Sequence, residues 1–140
     1  KLEKTGKRAN KGPEGIAYNS REKLFYIANE KSPVQISVYD DSFNFIKGYR
    51  FRFPDISGLC YDDANRKLWV LSHEGSEIYI RDNEIKRVYI IKIGSFQAEV
   101  IALDVGRGFF YIWSDRDSLF YRFRIPEKYM SEIPAQPENN

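Results

Sequence analysis

One pattern recurs three times along this chain and restricts its fold more than any other feature. The segments "EGIAYNSREKLFYIANE", "SGLCYDDANRKLWVLSHE" and "EVIALDVGRGFFYIWSD" line up with Gly15, Gly58 and Val100 in register, at spacings of 43 and 42 residues. A unit of this length cannot bury its apolar face alone, so repeats stack and share a continuous core. After each head comes a polar turn ("NSREK", "DDANRK", "DVGRG") and then an apolar run ("LFYI", "LWVL", "FYIW").

Further strands follow each run. "VQISVYD", "EIYIRD" and "SLFYRFR" come next, with alternation clearest at Val34, Ile36 and Val38. Two repeats then add "FNFIKGYRFRF" and "IKRVYIIKI". Short strands between turn signals, without a convincing amphipathic helix, predict an all-β chain. About four strands in every ~40–50 residues is the mark of a propeller blade. In "YRFRF", Tyr49, Phe51 and Phe53 share one face while Arg50 and Arg52 share the other, as on a solvated outer strand.

The predicted architecture is an all-β β-propeller of three four-stranded blades, half of a six-bladed propeller. The blades cover about 12–53, 54–96 and 97–133, with a flexible tail at 134–140. Residues 1 to 9 are placed to be the outer strand of a preceding blade or to complete the third, which has no obvious fourth strand. Propellers close with roughly four to eight blades. Three leave apolar faces and strand edges uncovered. The expected partner is a missing N-terminal half, a second copy or a heterologous subunit.

Composition removes several function classes. The net charge of +2 over 140 residues excludes a wholly basic nucleic-acid binder. Lys1, Lys4, Lys7, Arg8 and Lys11 cluster at the start, where lysines on an edge strand or linker block unwanted pairing. No apolar run approaches the ~20 residues needed to span a bilayer. The chain opens on Lys1 with no signal peptide, as expected of a mature or shortened product. Cys60 is the only cysteine and His73 the only histidine, too few for a disulfide framework or the usual zinc ligands. His73 in "LSHEGS" reads as a loop histidine, and no Gly-x-Ser-x-Gly elbow is present, so no catalytic residue is assigned.

"NKGPEGIAYNSREKLFYIANEKSP" followed by "DISGLCYDDANRKLWVLSHEGSEIY" resembles the C-terminal half of the SdiA-regulated domain family of bacterial β-propellers. "FQAEVIALDVGRGFFYIWSDRDSLFYRF" stands where that family has its last blade, written there as Gln-Ala-Glu-Gly, a strand, then Ser-Glu-Pro-Asn-Leu. The resemblance runs over about residues 10 to 125. It implies a six-bladed propeller of the bacterial periplasm or outer envelope, lipid-anchored in a full-length protein, with a calcium site in its central region. Val100 replaces the family's glycine, and Ser114-Asp115-Arg116 replaces Ser-Glu-Pro.

In a propeller the first strand of each blade lines the channel, so the strand heads converge. Glu14, Asp55 with Ser57, and Glu99 stand at these heads. Converging carboxylates repel unless a cation lies among them, and Ca²⁺ takes 6–8 oxygen ligands. Glu14, Asp55 and Glu99 are therefore the expected metal ligands, with Glu30, Ser57, Glu74 and His73 around them. The plain alternative is that these acids accept turn amides or pair with Lys and Arg. The adjoining glycine would let the backbone turn tightly or come close to a neighbour.

The expected function is a calcium-binding propeller module with a binding role. The alternative is a calcium-dependent lactonase or esterase resembling gluconolactonases and paraoxonases, to which "PEGIAY" and "DISGLCYD" look distantly similar. There Glu14 and Asp55 would hold the metal and His73 would be the only candidate base.

Overall fold

Each repeat folds as an antiparallel meander. The structure, a computed structural model, describes residues 12–95 and 97–131. The first sheet runs β1 (Pro13–Asn19), β2 (Leu24–Asn29), β3 (Gln35–Asp40), β4 (Phe45–Arg50) in that order. The second runs β5 (Gly58–Asp62), β6 (Lys67–Ser72), β7 (Glu77–Arg81), β8 (Arg87–Lys92). The third holds β9 (Ala98–Asp104), β10 (Phe109–Ser114) and β11 (Leu119–Arg124), three strands among the described residues. The chain is an all-β propeller segment, as the repeat predicts. The lysine-rich start and the expected tail at 134–140 lie outside the described residues.

The turns repeat as closely as the strands, because their chemistry is local. Asn19, Asp62 and Asp104 each accept, through Oδ1, the amide three residues on. Asp40 and Asp82 each accept two amides across the next turn, those of Ser42 and Asn44 and those of Glu84 and Lys86. Short acidic and amide side chains stabilise turns by this backbone mimicry. Lys23, Arg66 and Gly108 match in the repeat and all take left-handed φ, at 55°, 55° and 73°.

Two cores fill the two seams between blades. Ala17, Tyr26, Ala28, Ile36 and Val38 of the first sheet pack against Leu59, Leu68, Val70 and Tyr79 of the second. Trp69, Leu71, Ile78 and Ile80 on the other side of that sheet pack against Ile101, Phe110 and Ile112 of the third. The middle blade is sandwiched, and β6 is buried over five consecutive residues, Leu68 to Ser72. On the outer strand Tyr49, Phe51 and Phe53 turn to the core while Arg50 and Arg52 are exposed, matching the sequence alternation. The strand itself stops at Arg50, and Phe51 and Phe53 continue as a stacked pair at 4.8 Å.

A one-turn helix, α1 (Glu127–Ser131), follows the third blade and is absent from the sequence expectation. Five residues are too few to show a helical period. Pro126 just ahead and Glu127 in the first turn suit a helix start. Among the described residues no helix is long and apolar enough to cross a membrane.

Candidate functional site at the inner strand heads

The inner strands β1, β5 and β9 stand side by side, which brings the strand heads together. Two of these heads carry the same irregularity. Pro13 pairs with Asn29 and Gly15 with Ala28, leaving Glu14 as the extra residue of a bulge. Ala98 pairs with Ser114 and Val100 with Trp113, leaving Glu99 in the equivalent place. A bulge re-aims a side chain that regular pleating would send elsewhere.

Both glutamates line one cavity of about 480 Å³, together with Ile16, Ile27, Leu59 and Val100. Partial desolvation, and then the charges of Glu30 and Glu99, push the Glu14 carboxyl above the ordinary range. Gln97 donates from Nε2 to Glu99 Oε1 at 3.2 Å and helps hold that carboxylate.

The glycine beside Glu14 has a tertiary role. A Cβ on Gly15 would lie 3.1 Å from Leu59 N, and one on Gly58 would lie 3.2 Å from Glu99 O. Both residues let neighbouring inner strands approach closely. Close approach between strands, not a tight turn, is what these glycines permit.

The middle blade contributes a different group. Counted through the repeat, the residue matching Glu14 and Glu99 is Ser57; Asp55 lies two positions earlier. Ser57 is buried, and its Oγ has no hydrogen-bond partner among the described residues. Asp55 is 1% exposed and does not line the cavity. It accepts Ser72 Oγ at 2.6 Å and the amides of Glu74 and His73 at 3.1 and 3.2 Å. Its carboxylate thus closes the β6–β7 turn, the use of a strand-end acid that competes with metal binding.

The remaining expected residues divide between two places. Lys31 Nζ bridges Glu30 at 3.4 Å and Glu74 at 2.5 Å, joining loops of the first and second blades. His73 lines a separate polar recess of about 170 Å³, and Glu74 lines it too, with Ser76, Ser95, Gln97 and Arg116. The cavity that holds Glu14 and Glu99 shares no lining residue with it.

Calcium favours oxygen donors, and Glu14, Glu99 and the unpartnered Ser57 hydroxyl are of that kind. Among the described residues no three His, Cys, Asp or Glu side chains come together as a metal cluster. Glu14 and Glu99 face the cavity, while neither Ser57 nor Asp55 lines it. Sequence reading located Glu14 and Glu99 but not their bulges, which depend on how β2 and β10 pair with them.

Comparisons with known proteins agree with this architecture. The family described as SdiA-regulated matches residues 1–124. Among solved structures, "Structure of U3-55K" is similar at 17% identity and a TM-score of 0.55, covering 81% of this chain and 37% of that one. "Crystal structure of RRP9 WD40 repeats" is similar at 15% identity and 0.57, with the same coverage. Hsv2 of Kluyveromyces lactis is similar at 12% identity and 0.56, covering 81% of this chain and 33% of that one. These likenesses show the fold, and the chain spans about a third of the length of each structure.

Proposed function

This chain belongs to the SdiA-regulated family, and we propose that it serves as a calcium-binding propeller module with a binding role and no chemistry of its own. The observation that carries the reading is the pair of equivalent bulged glutamates, Glu14 and Glu99, facing one cavity. Calcium, when bound, supplies the positive charge that lets both carboxylates stay ionised side by side.

The chain's own residues do the rest. Gly15 and Gly58 keep the inner strands close enough for both acids to reach one cavity. Gln97 orients Glu99, and Asp55 holds the loop beside the heads. Two carboxylates fall short of the 6–8 oxygens calcium takes, so backbone carbonyls, water and further blades complete the shell. The bacterial envelope is the setting that the family resemblance implies, and cell fractionation of the native protein tests it. A lactonase-type reading draws no support from His73, which lines a different recess.

The test is thermal unfolding in EGTA and then in excess Ca²⁺. Calcium several-fold above its dissociation constant is expected to add about 1 kcal/mol of stability. Glu14→Gln and Glu99→Gln remove that increment. Asp55→Asn lowers the midpoint in both conditions and keeps the increment. A wild-type midpoint that ignores calcium, or a full increment in Glu14→Gln, overturns the proposal.

A further inference from the structure

One position in the turns that follow β2, β6 and β10 is charged in every repeat. Two residues past the ends of these strands stand Lys31, Glu74 and Arg116. The signs alternate, so each seam between blades brings together an acid and a base. Across the first seam the pair is closed, with Lys31 Nζ 2.5 Å from Glu74 Oε1. Across the second seam it is open. Glu74 and Arg116 line the same recess of about 170 Å³, yet among the described residues Arg116 has no ion-pair partner.

Hydrogen bonds fix the walls of this recess. Asp55 accepts the amides of His73 and Glu74 in the β6–β7 turn. The carbonyl of Ser76 accepts from Ile93 N at 3.0 Å, and that of Gln97 accepts from Asp115 N at 3.2 Å. The nearby acids are already engaged. Lys31 pairs with Glu74 and holds its carboxyl below the ordinary range. Ser114 Oγ donates to Asp117 at 3.1 Å, and Gln97 Nε2 donates to Glu99. Donors are left over: the side chains of His73, Ser76 and Ser95 make no hydrogen bond among the described residues.

We propose that this recess is a binding site for a small carboxylate. The ligand supplies Arg116 with the acidic partner that Glu74 supplies to Lys31 one seam earlier. A guanidinium fork matches a carboxylate through two parallel hydrogen bonds. His73 keeps an N–H donor in both protonation states, and the serine hydroxyls add further donors. The volume lies below the ~300–1,000 Å³ of drug-sized pockets, which suits a small acid. Glu74 on the wall repels a doubly charged anion more than a singly charged one, so a carboxylate is favoured over phosphate. The recess shares no lining residue with the Glu14 cavity, and the proposal is independent of calcium.

The probe is acetate, titrated into the isotope-labelled protein in metal-free buffer at constant ionic strength. EGTA is left out because it carries carboxylates itself. Saturable shifts are expected in the proton–nitrogen NMR signals of the His73, Ser76 and Gln97 amides. Arg116→Gln is expected to weaken binding by about tenfold or more, since it removes a charged hydrogen-bonding partner. Arg107→Gln, ahead of β10 and paired with Asp104, leaves binding unchanged. Inorganic phosphate is expected to bind more weakly than acetate. No saturable response in the wild type, or equal binding by Arg116→Gln, overturns the proposal. Acetate binding that appears only in Glu74→Gln also overturns it, because Glu74 is then the partner that fills the recess. Phosphate binding more tightly than acetate overturns the assignment to a carboxylate.

Discussion

The Tyr129 hydroxyl donates a hydrogen bond to Asp62 Oδ2 at 3.0 Å, across 67 positions of sequence. The same phenol oxygen accepts from Trp69 Nε1 at 3.3 Å. Tyr129 is 2% exposed and Asp62 is buried, so α1 is tied to the middle blade by a buried polar network. Burial and then the Asp62 charge push the phenol above its ordinary range. Tyr129→Phe keeps the ring but leaves the Trp69 donor unpaired and Asp62 one donor short. The expected loss is about 1–3 kcal/mol, read by urea unfolding followed at tryptophan fluorescence. A loss within experimental error would mean that the network adds nothing to the seam.

Glu14 makes a prediction about pH. Its folded carboxyl titrates above the ordinary value because of partial desolvation, Glu30 and Glu99. The folded state therefore binds more protons than the unfolded state between those two values. Stability falls as pH rises through that window, and the penalty persists above it. In EGTA, Glu14→Gln is expected to be more stable than wild type at neutral pH and equal to it in acid. Solvent screening at this exposed site keeps the gain to about 0.5 kcal/mol. Parallel midpoint curves for the two proteins from acid to neutral pH would refute the repulsion argument.

Gly58 tests the close approach of inner strands. A methyl at this position meets the backbone oxygen of Glu99 at 3.2 Å, and a backbone atom cannot rotate away. Gly58→Ala is expected to cost about 1–3 kcal/mol by overpacking the β5–β9 approach. Gly106→Ala is the control, since a Cβ there meets nothing within 4 Å. Equal stability of the two variants in chemical denaturation would show that the strands can part freely.

Much of the fold was legible because the signals are local. The alternation of Tyr49, Arg50, Phe51 and Arg52 fixes which faces are wet whatever lies opposite. Asn19, Asp62 and Asp104 close their turns through atoms three residues away. By contrast α1 had no readable period, and its anchor Tyr129 finds Asp62 and Trp69 only after two blades are stacked.

The candidate site divides in the same way. By itself the sequence determined that acids and glycines recur at the heads of repeated inner strands, because repetition in register needs no coordinates. Only the tertiary structure decided which of these acids face one cavity. The pairing of β1 with β2 and of β9 with β10 makes Glu14 and Glu99 the bulged residues, while the β6–β7 turn claims Asp55. Those outcomes depend on distances between strands that are far apart in sequence, and a linear pattern carries no such distances.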